Sequence, residues 1–138
     1  MEKEIIEKWE NGKNNLRNYL ENNLTEITSN SYNQLVKTLI SQCLNYNSEF
    51  ETFSEDFTCI DHGCYQGTQI FILHIATYQP DVDDYYYFAN YYGSCSACDT
   101  LQGILIHTDW ETGLPSKDQV DQLMALCLHM IQKMKRMC

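Results

Sequence analysis

The stretch "TQIFILHIATYQPDVDDYYYFANYY", residues 68–92, decides the fold. Two runs rich in aromatic and β-branched residues flank "YQPDVDD", whose Pro and Asp residues favour a turn. This is the pattern of two strands joined by a short connection. A third run, "FTCI" (57–60), lies upstream, separated by a second turn signal, "DHGCYQG" (61–67). The three read as an antiparallel meander. In "DDYYYFANYY" the tyrosines fall on both faces of the strand, so one face can join a core while the other lines a surface.

Helical patterns surround the sheet. Residues 2–22 place Ile5, Trp9, Leu16 and Leu20 roughly on one face, although "NGKNN" weakens the helix midway. "TSNSYNQLVKTLISQCL" (28–44) is a stronger helix, with Tyr32, Leu35, Val36, Leu39, Ile40 and Cys43 at helical spacing and "NYNSEF" closing it. Downstream, a helix is expected from near Ser96 through "DTLQGILIH". A final one is expected after Pro115 at its first position, with Ser116 or Gly113 near the cap. Its stripe is Val120, Leu123, Met124, Cys127, Met130, Ile131 and Met134, widened by Leu126 and Leu128 beyond what one packing face needs. The expected architecture is one α+β domain over 1–138, in the order α-α-β-β-β-α-α. A helical part spans 1–46, a three-stranded antiparallel sheet 53–93, and C-terminal helices 96–138, with a Cys-x-x-Cys at the junction.

An apolar content of 43% supports a folded core, and no apolar run approaches the ~18 residues of a membrane span. The opening "MEKEIIEKWE" is charged where a signal peptide would be apolar, so a soluble, cytoplasmic protein is expected. The net charge is −10, and its layout is uneven. From Thr38 to Ser116 there is no Lys or Arg, while that span holds Glu49, Glu51, Glu55, Asp56, Asp61, Asp81, Asp83, Asp84, Asp99, Asp109 and Glu111. Such a field repels nucleic acid and steers toward basic surfaces. Glu55, Asp56, Asp83 and Asp84 are the expected partner-binding residues.

Seven cysteines, an odd number in a reducing compartment, argue against a disulfide framework. Cys43 and Cys127 sit in apolar stripes and read as core; Cys138 is terminal. In a meander the first and third strands run parallel, so "CIDHGC" (59–64) and "GSCSAC" (93–98) leave the sheet at the same end. Cys59, His62, Cys64, Cys95 and Cys98 are thereby gathered with Asp61 and Asp99. Thiolates and imidazole at that density suit zinc, with Asp61, His62, Cys64, Cys95 and Cys98 as the candidate ligands. Buried inert cysteines and a reactive dithiol are the alternatives; the second lacks the βαβ pattern that accompanies it. His74, His107 and His129 receive no function. The chain has no G-x-S-x-G, no phosphate-binding glycine loop and no H-E-x-x-H, and no catalytic residue is assigned.

The motifs "DHGCYQGTQIF" (61–71) and "YYGSCSACDTLQGI" (91–104), with the final helix "QVDQLMALCLHMIQKM", resemble a family of small acidic phage and prophage proteins of Gram-positive bacteria. Asp61, Gly63, Tyr65, Gln66, Gly67, Cys95, Cys98 and Asp99 match its pattern, whereas Cys64 stands where the pattern is acidic. The resemblance covers about the second half of the chain; small acidic phage proteins of this kind include anti-CRISPR proteins, and this chain looks like a type II inhibitor that binds metal. The resemblance implies a phage protein that evades host defence by binding an RNA-guided CRISPR nuclease stoichiometrically and blocking DNA binding or cleavage, with a structural zinc. A small zinc-dependent enzyme, or a metal-stabilised module for another host nucleic-acid enzyme, are the alternatives.

Overall fold

The computed structural model describes residues 3–24, 27, 32–48, 51–61, 63, 67–93, 99–109 and 111–137. An apolar residue every three to four positions makes α1, Lys3–Asn23, a helix that buries Ile5, Trp9, Leu16 and Leu20. Gly12 lies on the same stripe, and a Cβ there would overlap the Cys43 carbonyl, 2.6 Å from its carbon. The glycine that weakens the helical pattern is therefore what lets α1 close against its neighbour. That neighbour is α2, Tyr32–Leu39, which continues as a π-helical turn over Ile40–Leu44. Asn45 ends the turn, and its carboxamide then pairs with Phe53, accepting from the amide at 2.8 Å and donating to the carbonyl at 2.9 Å. One side chain thus carries the chain from helix to sheet.

The meander forms where the aromatic and β-branched runs and their turn signals predict it: β1 is Thr58–Asp61, β2 is Gly67–His74 and β3 is Tyr85–Tyr92, paired antiparallel in that order. A 3-10 turn, Val82–Asp84, connects β2 to β3. The expected three strands are one short. Lys135–Arg136 forms β4 beside β3, so the sheet is four-stranded, ordered β1-β2-β3-β4, and a strand follows the last helix. Its anchors are the Met137 amide on Tyr85 O (2.9 Å) and Arg136 Nη2 on the Tyr86 hydroxyl (2.8 Å).

Two helix starts also differ from expectation. The helix carrying Leu101 and Ile104 is α3, Thr100–Leu105; it starts after Asp99, not near Ser96, because Asp99 is extended and caps the Gln102 amide. The last helix, α4, is Lys117–Lys133 with Ser116 as its N-cap, so Pro115 stands before the cap and not at the first helical position. Met134 is extended and turns the chain into β4.

The core lies between one sheet face and the helices. Phe71, Leu73, Tyr86 and Phe88 point inward, with Phe71 and Phe88 stacked at 5.2 Å and Phe53 edge-on to Tyr86 at 5.3 Å. Leu123, Leu126, Cys127, Met130 and Ile131 of α4 meet them, and Leu128 packs at the margin. Leu126 of the wide α4 stripe is buried in this core, while Met124 and Leu128 are only partly covered by it. No helix among the described residues is long and apolar enough to cross a membrane.

Candidate functional site

The two ends of the sheet carry different chemistry. At one end β1 stops at Asp61, β2 begins at Gly67 and β3 stops at Tyr92, with Asp61 opposite Gln69 and Gly67 opposite Tyr92. The Tyr92 hydroxyl crosses above Gly67 and donates to Asp61 Oδ1 at 2.6 Å, and the Gly63 amide donates to the same oxygen at 2.9 Å. Gln69 Nε2 stands 3.5 Å from Asp61 Oδ2. A Cβ on Gly67 would come within 2.7 Å of Gly63 Cα and 3.5 Å of the Tyr92 hydroxyl. Glycine is needed here for the first loop to fold back and for the tyrosine to reach across. The roots of the two cysteine-bearing segments are thus hydrogen-bonded to each other.

Of the five expected metal ligands, Asp61 is placed; His62, Cys64, Cys95 and Cys98 lie outside the described residues. Among the described residues no three metal-ligating side chains gather. One oxygen of the Asp61 carboxylate is fixed by a hydroxyl and an amide. Cys59 faces the core beside Phe71, and burial, then the Asp61 carboxylate, push its thiol up. It packs as a small apolar residue.

Asp99 takes a role that its sequence position does not suggest. Only 5% exposed, it accepts the Gln102 amide (2.9 Å) and the Tyr32 hydroxyl (3.1 Å) on Oδ1 and the Gly93 amide (2.9 Å) on Oδ2. The Tyr32 hydroxyl in turn accepts the Leu101 amide at 3.1 Å. One carboxylate therefore bolts the exit of β3, the start of α3 and the start of α2 together. Burial, opposed by the Leu101 amide and reinforced by Asp99, pushes the Tyr32 phenol up to about 12. Three donors on a buried carboxylate suit a brace better than a general base. Asn90 is 4% exposed, and its amide nitrogen is buried without a hydrogen-bond partner. Gln69 Oε1 is likewise buried without a partner.

Tyr32, Gln69, Asn90 and Tyr92 escaped the sequence reading. Tyr92 was within its reach, since it shares the inward parity of Phe88 and Asn90 and falls opposite Gly67 in the meander. Tyr32 was not, being 67 positions from Asp99 with no local signal joining them.

The opposite end of the sheet is acidic. Between the bridge Phe53↔Ile75 and the pair Thr58↔Ile72, residues 54–57 of the first strand face only 73 and 74 of the second. The surplus forms a bulge that exposes Glu55 and Asp56, with the Asp56 amide held by Ser54 Oγ at 3.1 Å. Asp81, Asp83 and Asp84 occupy the β2–β3 connection at this same end. Asp81 Oδ1 accepts the Val82 amide (3.0 Å) and Asp84 Oδ2 accepts the Asp81 amide (2.9 Å), so these two shape the turn while Asp83 is exposed. An open groove of about 370 Å³ beside the bulge is lined by Asn33, Gln34, Lys37, Glu55, Asp56, Phe57 and Cys59. Lys37 partly offsets the acids on that side.

Cys43 and Cys127 are fully buried, and burial pushes both thiols up to about 12. His74 is half-buried, its Nδ1 3.0 Å from the Ile75 carbonyl, against the Tyr85 ring. No family model, curated protein or solved structure matches this chain.

Proposed function

We propose that this protein is a binding module that inhibits a basic, nucleic-acid-handling partner by occupying its positively charged surface. The observation that carries this reading is the acidic end of the sheet. Glu55, Asp56 and Asp83 are exposed there, in a span from Thr38 to Ser116 without a Lys or Arg. The resemblance of residues 61–71 and 91–104 to phage proteins narrows the partner to a type II RNA-guided CRISPR nuclease. Such a nuclease holds its heteroduplex and displaced strand in basic channels that an acidic module can fill.

Zinc belongs to the same proposal. Cys95 and Cys98, completed by two of Asp61, His62 and Cys64, would hold it in a four-ligand site, and the bound ion would tie together two segments whose roots Tyr92 and Asp61 already join. Its part is structural. The enzymatic alternative needs Asp61 or Asp99 as a base, and the second is buried with three donors upon it.

The test is a binding titration against guide-loaded type II nuclease at rising ionic strength. Binding should weaken as salt rises, mainly through the association rate, and Glu55→Lys with Asp56→Lys should weaken it further. Absence of binding, or binding indifferent to salt and to both reversals, contradicts the proposal.

A further inference from the structure

The sheet has a second face that no described element covers. Its inward side chains join the core, whereas the alternate positions Ile60, Ile70, Ile72, Tyr87 and Tyr91 point away from it. Ile60 is 36% exposed, Tyr87 37% and Tyr91 56%, and Ala89 between them is also open. The register makes these residues one patch. Ile60, Ile70 and Ala89 form a cross-strand row; Thr58, Ile72, Tyr87 and Lys135 form the next. A sheet with one wet face ordinarily alternates apolar-in and polar-out. Here the outer positions are largely isoleucine and tyrosine, and contiguous exposed apolar surface marks an interaction site.

We infer that this open face is the docking surface for a protein partner with a basic, aliphatic contact surface. The inference rests on reading the chain as a binding module and adds where it binds. Charge selects the occupant. The acidic end at Glu55, Asp56, Asp81 and Asp83 borders the patch, and β1 to β3 with their described connections carry no cation; Lys135 stands at the far edge. Exposed sheet aromatics also serve as stacking platforms for single-stranded RNA, but those need Lys or Arg along the backbone path, which these strands lack. A second copy brings another −10 of charge against the first. A basic partner meets both features, with tyrosines as anchors and acids as the rim.

Two measurements on the full chain test this. In the first, isoleucine methyl resonances are followed while a Leu/Lys amphipathic helical peptide is added. Ile60, Ile70 and Ile72 should shift, while Ile6 and Ile106, exposed on helical segments elsewhere, should not. Equal shifts at Ile6 and Ile106, or none anywhere, overturn the inference. So does a shift of the same three methyls by a single-stranded RNA oligonucleotide, or a concentration-dependent dimer that the variant below abolishes.

The second measurement compares wild type with Tyr87→Thr/Tyr91→Thr for binding to guide-loaded nuclease, Thr being chosen because it suits a strand. With an unchanged circular dichroism spectrum, the variant should bind at least about 100-fold more weakly. Affinity within threefold of wild type overturns the docking surface and leaves the proposed function standing. A wild type that fails to bind the nuclease removes that target, and the methyl shifts then decide the surface by themselves.

Discussion

Gly12 and Asp99 show how single residues set this structure. Gly12→Ala forces a methyl into the Cys43 carbonyl, where backbone on both sides prevents relief. The variant should lose about 3 kcal/mol or more, read as a lower urea midpoint at unchanged slope. Asp99→Ala removes the α3 cap and strands the buried Tyr32 hydroxyl and Gly93 amide. It should cost about 2–4 kcal/mol, and Asp99→Asn clearly less, since the amide oxygen still accepts. A neutral Asp99→Ala in chemical denaturation contradicts the bracing role. Neither role was legible locally. The pattern around Gly12 read as a weak point because the close approach of the 40–44 turn is a tertiary fact. Asp99 read only as an acid gathered beside the cysteines because only the fold brings Tyr32 to it.

Elements were legible where periodicity is strong and opaque where they are short. β2 and β3 declare themselves because each is an eight-residue strand rich in aromatic and β-branched residues, with a turn signal between them. β4 does not, since two charged residues after a helix look like the helix's own last turn. Its removal is informative: truncation after Met134 deletes the Met137–Tyr85 and Arg136–Tyr86 bonds and bares the edge of β3. A lower melting temperature and concentration-dependent aggregation are expected, and unchanged values would show that β4 is incidental. The roots of the cysteine-bearing segments, Asp61 and Tyr92, were legible as lying at one end of the sheet, and a hydrogen bond joins them; the cysteines beyond them lie outside the described residues. Protein purified without added metal should contain about one zinc per chain by elemental analysis. Cys95→Ser or Cys98→Ser should lose it and lower the melting temperature, while Cys138→Ser should do neither. Zinc-free protein with all seven thiols open to titration contradicts the site.

Charge and core act on the whole molecule. The folded state keeps Cys43 and Cys127, raised from 9.0 to about 12, and Tyr32, raised from 10.0 to about 12, protonated where the unfolded chain releases their protons. Stability from these groups is therefore complete below about pH 9 and is lost as pH climbs toward about 12. Denaturation midpoints measured from pH 8 to 11 should hold to about pH 9 and fall above it, and a flat profile contradicts the burial of these groups. The excess of acid in the middle of the chain was legible from sequence; its collection at one end of the sheet was not, because the bulge and the β2–β3 turn meet only after strand pairing. The central claim, that this end and the open face make an inhibitor by binding, has a direct measurement. Target-DNA cleavage by a fixed amount of guide-loaded type II nuclease is followed as the protein is added. The account predicts inhibition that saturates at one molecule per nuclease and weakens with salt. Full inhibition by a small fraction of an equivalent, or undiminished cleavage at excess, would contradict it.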